Sequence, residues 1–334
     1  MSLSPCCNAC GASQGLTRCA ACKVTLYCSR DHQVLDRANH AADCKAVKHA
    51  RTIFEREEQK LRGEASDVLT PANPLETSVG HFWGILSTRK YMRARYALAR
   101  AILDIKTFDA VKLAAEHVRD MLRLCRSDNL GVRDMLPAIY LRLGRDQDAY
   151  DIIKWFQTTK SSSDYDSGDL DLPYLDIVEA DVFESPQYLC GKYPTLAALV
   201  CVALLKIRLL LDLVALMNAG CLAPRLPREL LDRVKSYIPE TGPVRTNRGL
   251  ISGTEYSNLI VTMSSQVDEL YVAVAEANKH FWPALLDPGA HLTARPEIMP
   301  SCTKDEMQVN LQYCYDSWIE TPRSIDFIKT MSAR

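Results

Sequence analysis

Four spaced pairs of metal-ligating residues near the start of the chain limit its possible folds more than any other feature. In order they are Cys7-x2-Cys10, Cys19-x2-Cys22, Cys28-x3-His32 and His40-x3-Cys44. Thiolate and imidazole are zinc donors, and eight of them make two complete tetrahedral sets. A Cys-x2-Cys loop lets two thiolates reach one ion, and Gly11 suits the tight turn after Cys10. The two x3 pairs have i, i+4 spacing, which on a helix puts both ligands on one face. Cys6 would leave an x3 gap to Cys10, so Cys7 is the better ligand. A segment this short cannot bury enough apolar surface to fold alone, and metal supplies much of its folding free energy. Complete sets of four argue for structural zinc, since a catalytic ion keeps an open position.

Seven of the thirteen cysteines lie in the first 44 residues. The other six are scattered, mostly in apolar helical patterns, and read as buried thiols. The opening MSLSPCCNACGASQG has no apolar leader segment, so the cluster reads as metal ligands in a reducing compartment, not disulfides. An intracellular location, nuclear or cytoplasmic, is the expectation. Spacing alone leaves the pairing open: the ligands can be shared between the ions in chain order or interleaved.

The residues CNAC…CAACKVTLYCSRDHQ…HAADC resemble a MYND-type zinc finger over 7–44. The resemblance implies interleaving, with Cys7, Cys10, Cys28 and His32 on one zinc and Cys19, Cys22, His40 and Cys44 on the other. His32 stands where most members carry cysteine, an exchange between equivalent ligands. Gln33 keeps its usual place, but Arg37 stands where the family commonly has tryptophan. In the family that glutamine and tryptophan help form a shallow groove for proline-containing peptides. Arginine pairs bidentately with carboxylates, so acidic partner segments are the expected preference here. As a whole the chain resembles MYND-finger proteins of fungal type.

Beyond the finger, Val47, Ala50, Phe54 and Leu61 predict a helical extension over 45–62, and prolines and glycines predict a linker over 63–80. Four helices in two hairpins are expected over 81–157. The pattern AIYLRLGRDQDAYDIIKW resembles a tetratricopeptide-like hairpin, and an ordinary helical bundle accounts for it equally well. Residues 158–186 form an acidic loop, read as solvated, or alternatively as an interaction tail or an internal mask for the basic side of the helical domain. The region 187–334 is helical. Capping boxes are expected at Ser252-x-x-Glu255 and Thr303-x-x-Glu306, and Pro227 opens a further helix. The fold class is an all-α body, a helical bundle or short helical-repeat array, with a small N-terminal two-zinc module. The body, from Gly80 onward, is expected to fold independently of the finger.

Composition then limits function. A net charge of -1 argues against broad attraction to nucleic acid or anionic membrane. Residues 1–60 carry nine Lys/Arg against six Asp/Glu, with no DNA-reading finger spacing. Thr195–Met217 is interrupted by Lys206, Arg208 and Asp212, so it reads as a buried helix, not a membrane span. Some lysine methyltransferases hold a MYND finger within a split SET domain. This chain has neither their Asn-His-Ser motif nor a cysteine-rich tail, and too little sequence before the finger for half of that domain. No phosphate-cradling glycine loop, nucleophile elbow or zinc-protease motif appears. The reading is a zinc-binding protein-interaction module on a helical scaffold, a regulatory adaptor with protein partners. Gln33 and Arg37 are its candidate partner-binding residues.

Overall fold

The computed structural model describes residues 3–63, 71–189, 194–220 and 225–333. Its only sheet among them has two strands, and fifteen α-helices make up most of the rest. The chain divides into two compact units, one of Leu3–Ile139 with Asp164–Tyr174, the other mainly of Tyr140–Ser163 with Leu175–Arg334.

The first unit begins with strands β1 (Thr17–Arg18) and β2 (Leu26–Tyr27), paired antiparallel with Thr17 opposite Tyr27. Helices α1 (Arg30–Leu35), α2 (Arg37–Gly63), α3 (Pro74–Thr77), α4 (Thr88–Leu103) and α5 (Phe108–Leu124) follow. Ser29 caps α1 by accepting from the His32 N–H, and Thr107 caps α5 by accepting from that of Ala110. The predicted extension therefore begins earlier than its stripe suggested, with α2 running unbroken through the last two metal ligands. Buried alanines at 94 and 99 on α4 and at 110, 114 and 115 on α5 let these helices approach closely. Phe54 of α2 packs its ring 5.3 Å from Tyr91 and 5.6 Å from His117. Arg95 pairs with Asp120 beside them, and burial with this guanidinium pushes His117 down to about 4.

One core runs through this unit. Leu98, Ile102, Ala110 and Ala114 of the helices share it with Cys7, Cys19, Cys22, Val24, Tyr27 and Val47. The expectation of a body independent of the finger is revised on this point: α4 and α5 complete the core that the finger alone is too small to bury.

In the second unit the central element is α8 (Leu196–Gly220), buried on all sides from Leu196 to Leu210 and half-open toward its end. Helices α7 (Asp146–Gln157), α9 (Arg228–Ser236), α12 (Ser257–Ala277) and α14 (Lys304–Ile319) pack against it. Between and after them come α10 (Gly242–Arg245), α11 (Arg248–Ser252), α13 (Phe281–Leu286) and α15 (Ser324–Ser332); α6 (Leu136–Arg142) carries the unit boundary. The apolar stripes of these helices are core faces: Met263, Val267, Leu270 and Val274 on α12, and Met307, Leu311, Cys314 and Trp318 on α14, are buried. Thr303 caps α14 as expected, accepting from the Glu306 N–H at 3.3 Å. The Ser252 box does not form. Ser252 ends α11, its hydroxyl donating to the Arg248 carbonyl, and α12 starts only at Ser257. No helix among the described residues is long and apolar enough to cross a membrane.

The acidic segment is not a loose tail. Its first part, Asp164–Tyr174, belongs to the first unit, where Arg126 donates to the Asp169 and Leu172 carbonyls. Its second part straps across the second unit. Trp155 Nε1 donates to Asp176, Asp151 accepts from the Glu179 and Ala180 N–H groups, and Gln266 donates to the Phe183 carbonyl. Lys206, fully buried on α8, donates to the carbonyls of Val182 at 2.6 Å and Glu184 at 2.7 Å.

Burial pushes the Lys206 ammonium down from 10.5 to about 8, against the opposing pull of Asp181 and Glu184. Below about pH 8 the residue is charged in both folded and unfolded chains. Between about 8 and 10.5 the folded chain releases a proton that the unfolded chain keeps, so rising pH favours the fold across that window. Wild type is expected to gain up to about 3 kcal/mol over Lys206→Met between about pH 8 and 10. Urea unfolding of the pair checks this, and a difference constant with pH contradicts it.

Candidate metal centres

The finger is assembled from two knuckles, the β-hairpin, α1 and the first two turns of α2. In the first knuckle the Gly11 N–H donates to the Cys7 carbonyl at 2.8 Å; in the second Lys23 does the same to Cys19 at 2.9 Å. Both turning residues have positive φ, Gly11 at 75° and Lys23 at 64°. Only glycine takes that conformation without side-chain cost, so the second knuckle is the more strained. The hairpin then returns the chain so that Cys28, directly after β2, lies beside the first knuckle. His32 follows on α1. His40 and Cys44 share one face of α2 at the predicted i, i+4 spacing, whereas Cys28 precedes the α1 cap and is not helical.

These side chains converge in two groups: Cys7, Cys10, Cys28 and His32, and Cys19, Cys22, His40 and Cys44. Within each group the ligand atoms all lie within 4.8 Å of one another. The pairing is interleaved, and the chain-order alternative is excluded by this geometry. Cys6 is exposed and in neither group.

The donors fit zinc. A tetrahedral ion with Zn–S near 2.3 Å sets its ligands about 3.5–3.8 Å apart. In the first group Cys10 and Cys28 sulfurs are 3.6 Å apart, and Cys7 Sγ is 3.7 Å from His32 Nδ1. In the second, Cys19 and Cys44 sulfurs are 3.7 Å apart, and Cys22 Sγ is 3.5 Å from His40 Nε2. Cys28 Sγ to His32 Nδ1, at 3.0 Å, is the tightest edge. The electrostatics agree. Burial raises the Cys7 thiol, but the N–H groups around it outweigh this and bring it down to about 6; Cys19 is brought to about 6 similarly. Burial and crowding by neighbouring thiols push Cys28 up to about 11 and Cys44 to about 12. A dication among the sulfurs turns that mutual repulsion into attraction.

Supporting contacts hold the ligands in place. Asp36 is buried and accepts from the Tyr27 hydroxyl and from Asn8 Nδ2, each at 2.7 Å, tying the hairpin to the α1–α2 junction. Arg51 donates to the Ala21 carbonyl at 2.9 Å and to that of Cys22 at 2.6 Å, bracing the second knuckle from α2. Thr107, at the start of α5, donates to the Val24 carbonyl at 2.6 Å. His40 Nδ1 lies 3.5 Å from the Thr25 hydroxyl, on the ring edge opposite its ligand nitrogen. None of these was singled out from sequence. Arg51 carried one signal: it follows Cys44 by seven residues, two turns along the same face of α2. Gln33 is half-buried, and Arg37 is exposed at the start of α2.

The family model for the MYND finger matches residues 7–44. No curated protein and no solved structure matches the chain. The segment is a zinc finger of that type, with two groups each of three cysteines and one histidine.

Proposed function

We propose that this chain is a non-enzymatic regulatory adaptor whose finger binds a partner protein through the outer face of α1 and the start of α2. The observation that carries this reading is the side-by-side exposure of Val34 (58%) and Leu35 (73%) between Gln33 and Arg37. Apolar side chains held outward on a metal-fixed turn lose little conformational entropy when a partner covers them. The zinc ions act as structure here, because each group's four donors leave no position for a substrate. Action on transcription, if the partner is a transcriptional one, goes through that protein and not through DNA contact by the finger. MYND fingers are in general protein-interaction modules, which supports the class of function.

The ligand we assign is a peptide segment with an apolar residue flanked by carboxylates, the apolar group on Val34 and Leu35 and a carboxylate on Arg37. The chain's own acidic segment is spent on contacts within its two units, so the partner is another protein. Titration of the zinc-loaded full chain tests this with an acidic peptide and a proline-motif peptide. Wild type is expected to prefer the acidic peptide, and Arg37→Trp to weaken that binding by about fivefold while strengthening the other. Tight proline-peptide binding by wild type, unchanged in Arg37→Trp, overturns the assignment.

A further inference from the structure

The second unit contains a cavity of about 100 Å³ at the ends of α8 and α14. Its charged lining is balanced: Arg142, Arg208 and Arg323 against Asp212, Glu240 and Glu320. The first two arginines and Asp212 are buried in its floor, whereas Glu240 and Arg323 are exposed at its mouth. A lining with equal numbers of both charges disfavours a simple anion or a simple cation.

The unspent hydrogen-bonding capacity is more specific. Arg208 uses only Nη1, on the Leu141 carbonyl at 2.8 Å and beside Asp146 at 3.1 Å. Its Nε and Nη2 donate no hydrogen bond among the described residues, although Asp146 and Asp212 share the charge of the guanidinium, and Arg323 donates none either. The hydroxyls show the opposite condition. Ser317 donates to the Cys314 carbonyl, Thr321 to the Ser317 carbonyl and Thr241 to Asp212. With their protons committed, these oxygens offer only lone pairs. Glu320 binds Arg142 through both oxygens, at 2.9 and 2.7 Å, and each oxygen keeps a further lone pair. The cavity thus offers a guanidinium seeking an acceptor and, beside it, fixed acceptors seeking a multiple donor. Leu211, Ala215 and Ile238 supply an apolar wall.

We propose that this cavity binds a free aliphatic α-amino acid no larger than valine. Its carboxylate meets Arg208 and Arg323, its ammonium meets Glu320 and the hydroxyl oxygens, and its side chain lies against the apolar wall. Three donors on one nitrogen and two acceptors on one carboxylate match that complement, and the volume limits the side chain. A cavity of about 150 Å³ holds benzene, so this smaller one encloses only the carboxylate–ammonium end against Arg208 and the buried hydroxyls, with the side chain running along the wall toward the open mouth.

Isothermal titration of the zinc-loaded full chain with L-alanine and L-valine tests the proposal. Binding of at least one is expected with Kd at or below about 1 mM. Valinamide, which lacks the carboxylate, 3-methylbutanoate, which lacks the ammonium, and L-phenylalanine, which exceeds the space, are each expected to bind at least about tenfold more weakly. Ala215→Leu fills the wall and is expected to abolish binding. Arg323→Ala, at an exposed site that folding does not require, is expected to weaken it by about threefold or more. Absence of binding by both aliphatic amino acids overturns the proposal. So does equal binding of valinamide or 3-methylbutanoate, or full affinity in Arg323→Ala.

Discussion

Cys22→Ala is expected to lower the zinc content from two ions to one and to unfold the core of the first unit. Cys22 is completely buried and belongs to both the second metal group and the apolar cluster shared with α4 and α5. In small zinc modules the metal contributes roughly 10–16 kcal/mol of apparent folding free energy. A whole domain's stability is about 5–15 kcal/mol, so losing one ion removes an amount comparable to all of this unit's stability. Hydrogen exchange should show α2, α4 and α5 losing protection while α8, α12 and α14 keep theirs. Cys6→Ser, at an exposed residue outside both groups, should change neither zinc content nor exchange. A Cys22→Ala chain that keeps both ions contradicts the assignment.

Asp151→Ala is expected to destabilise the second unit by about 2–4 kcal/mol. Its carboxylate accepts from the Glu179 and Ala180 N–H groups at 2.9 and 3.0 Å and from Gln147 at 2.9 Å. Alanine removes three hydrogen bonds to a carboxylate, two of them from backbone donors of the half-exposed strap, and a hydrogen bond to a charged group contributes about 1.5–3 kcal/mol. The strap should then become open to protease between 176 and 184 before the helices do. Urea unfolding measures the first effect and limited proteolysis the second. Wild-type stability with an intact strap contradicts the role given to Asp151.

Much of this was legible in the sequence because a ligand's chemistry and its spacing are both local. The eight zinc donors, the buried stripes of α12 and α14, the Thr303 cap and the mixed polarity of α8 all depend on residues a few positions apart. The interleaved pairing was not legible from spacing, since it depends on where the hairpin returns Cys28; the family resemblance supplied it. Contacts across long separations were missed. Val24 and Leu98 show nothing in sequence to say that they share a core. The acidic segment read as solvated because sequence displays its charges and not Asp151 and Lys206, which hold its backbone, or Trp155, which binds its Asp176 carboxylate. Ser252 failed as a cap because α11 takes that residue first, an outcome that the local box does not encode.

The central claim is that the zinc finger is part of the first unit's core and not an appendage to it. Stepwise removal of zinc from the wild-type chain by a chelator, with amide protection of α4 and α5 followed by hydrogen exchange at each step, tests this most directly. The account predicts that Leu98, Ile102, Ala110 and Ala114 lose protection together with the second ion. Full protection of those amides after both ions have left would contradict it.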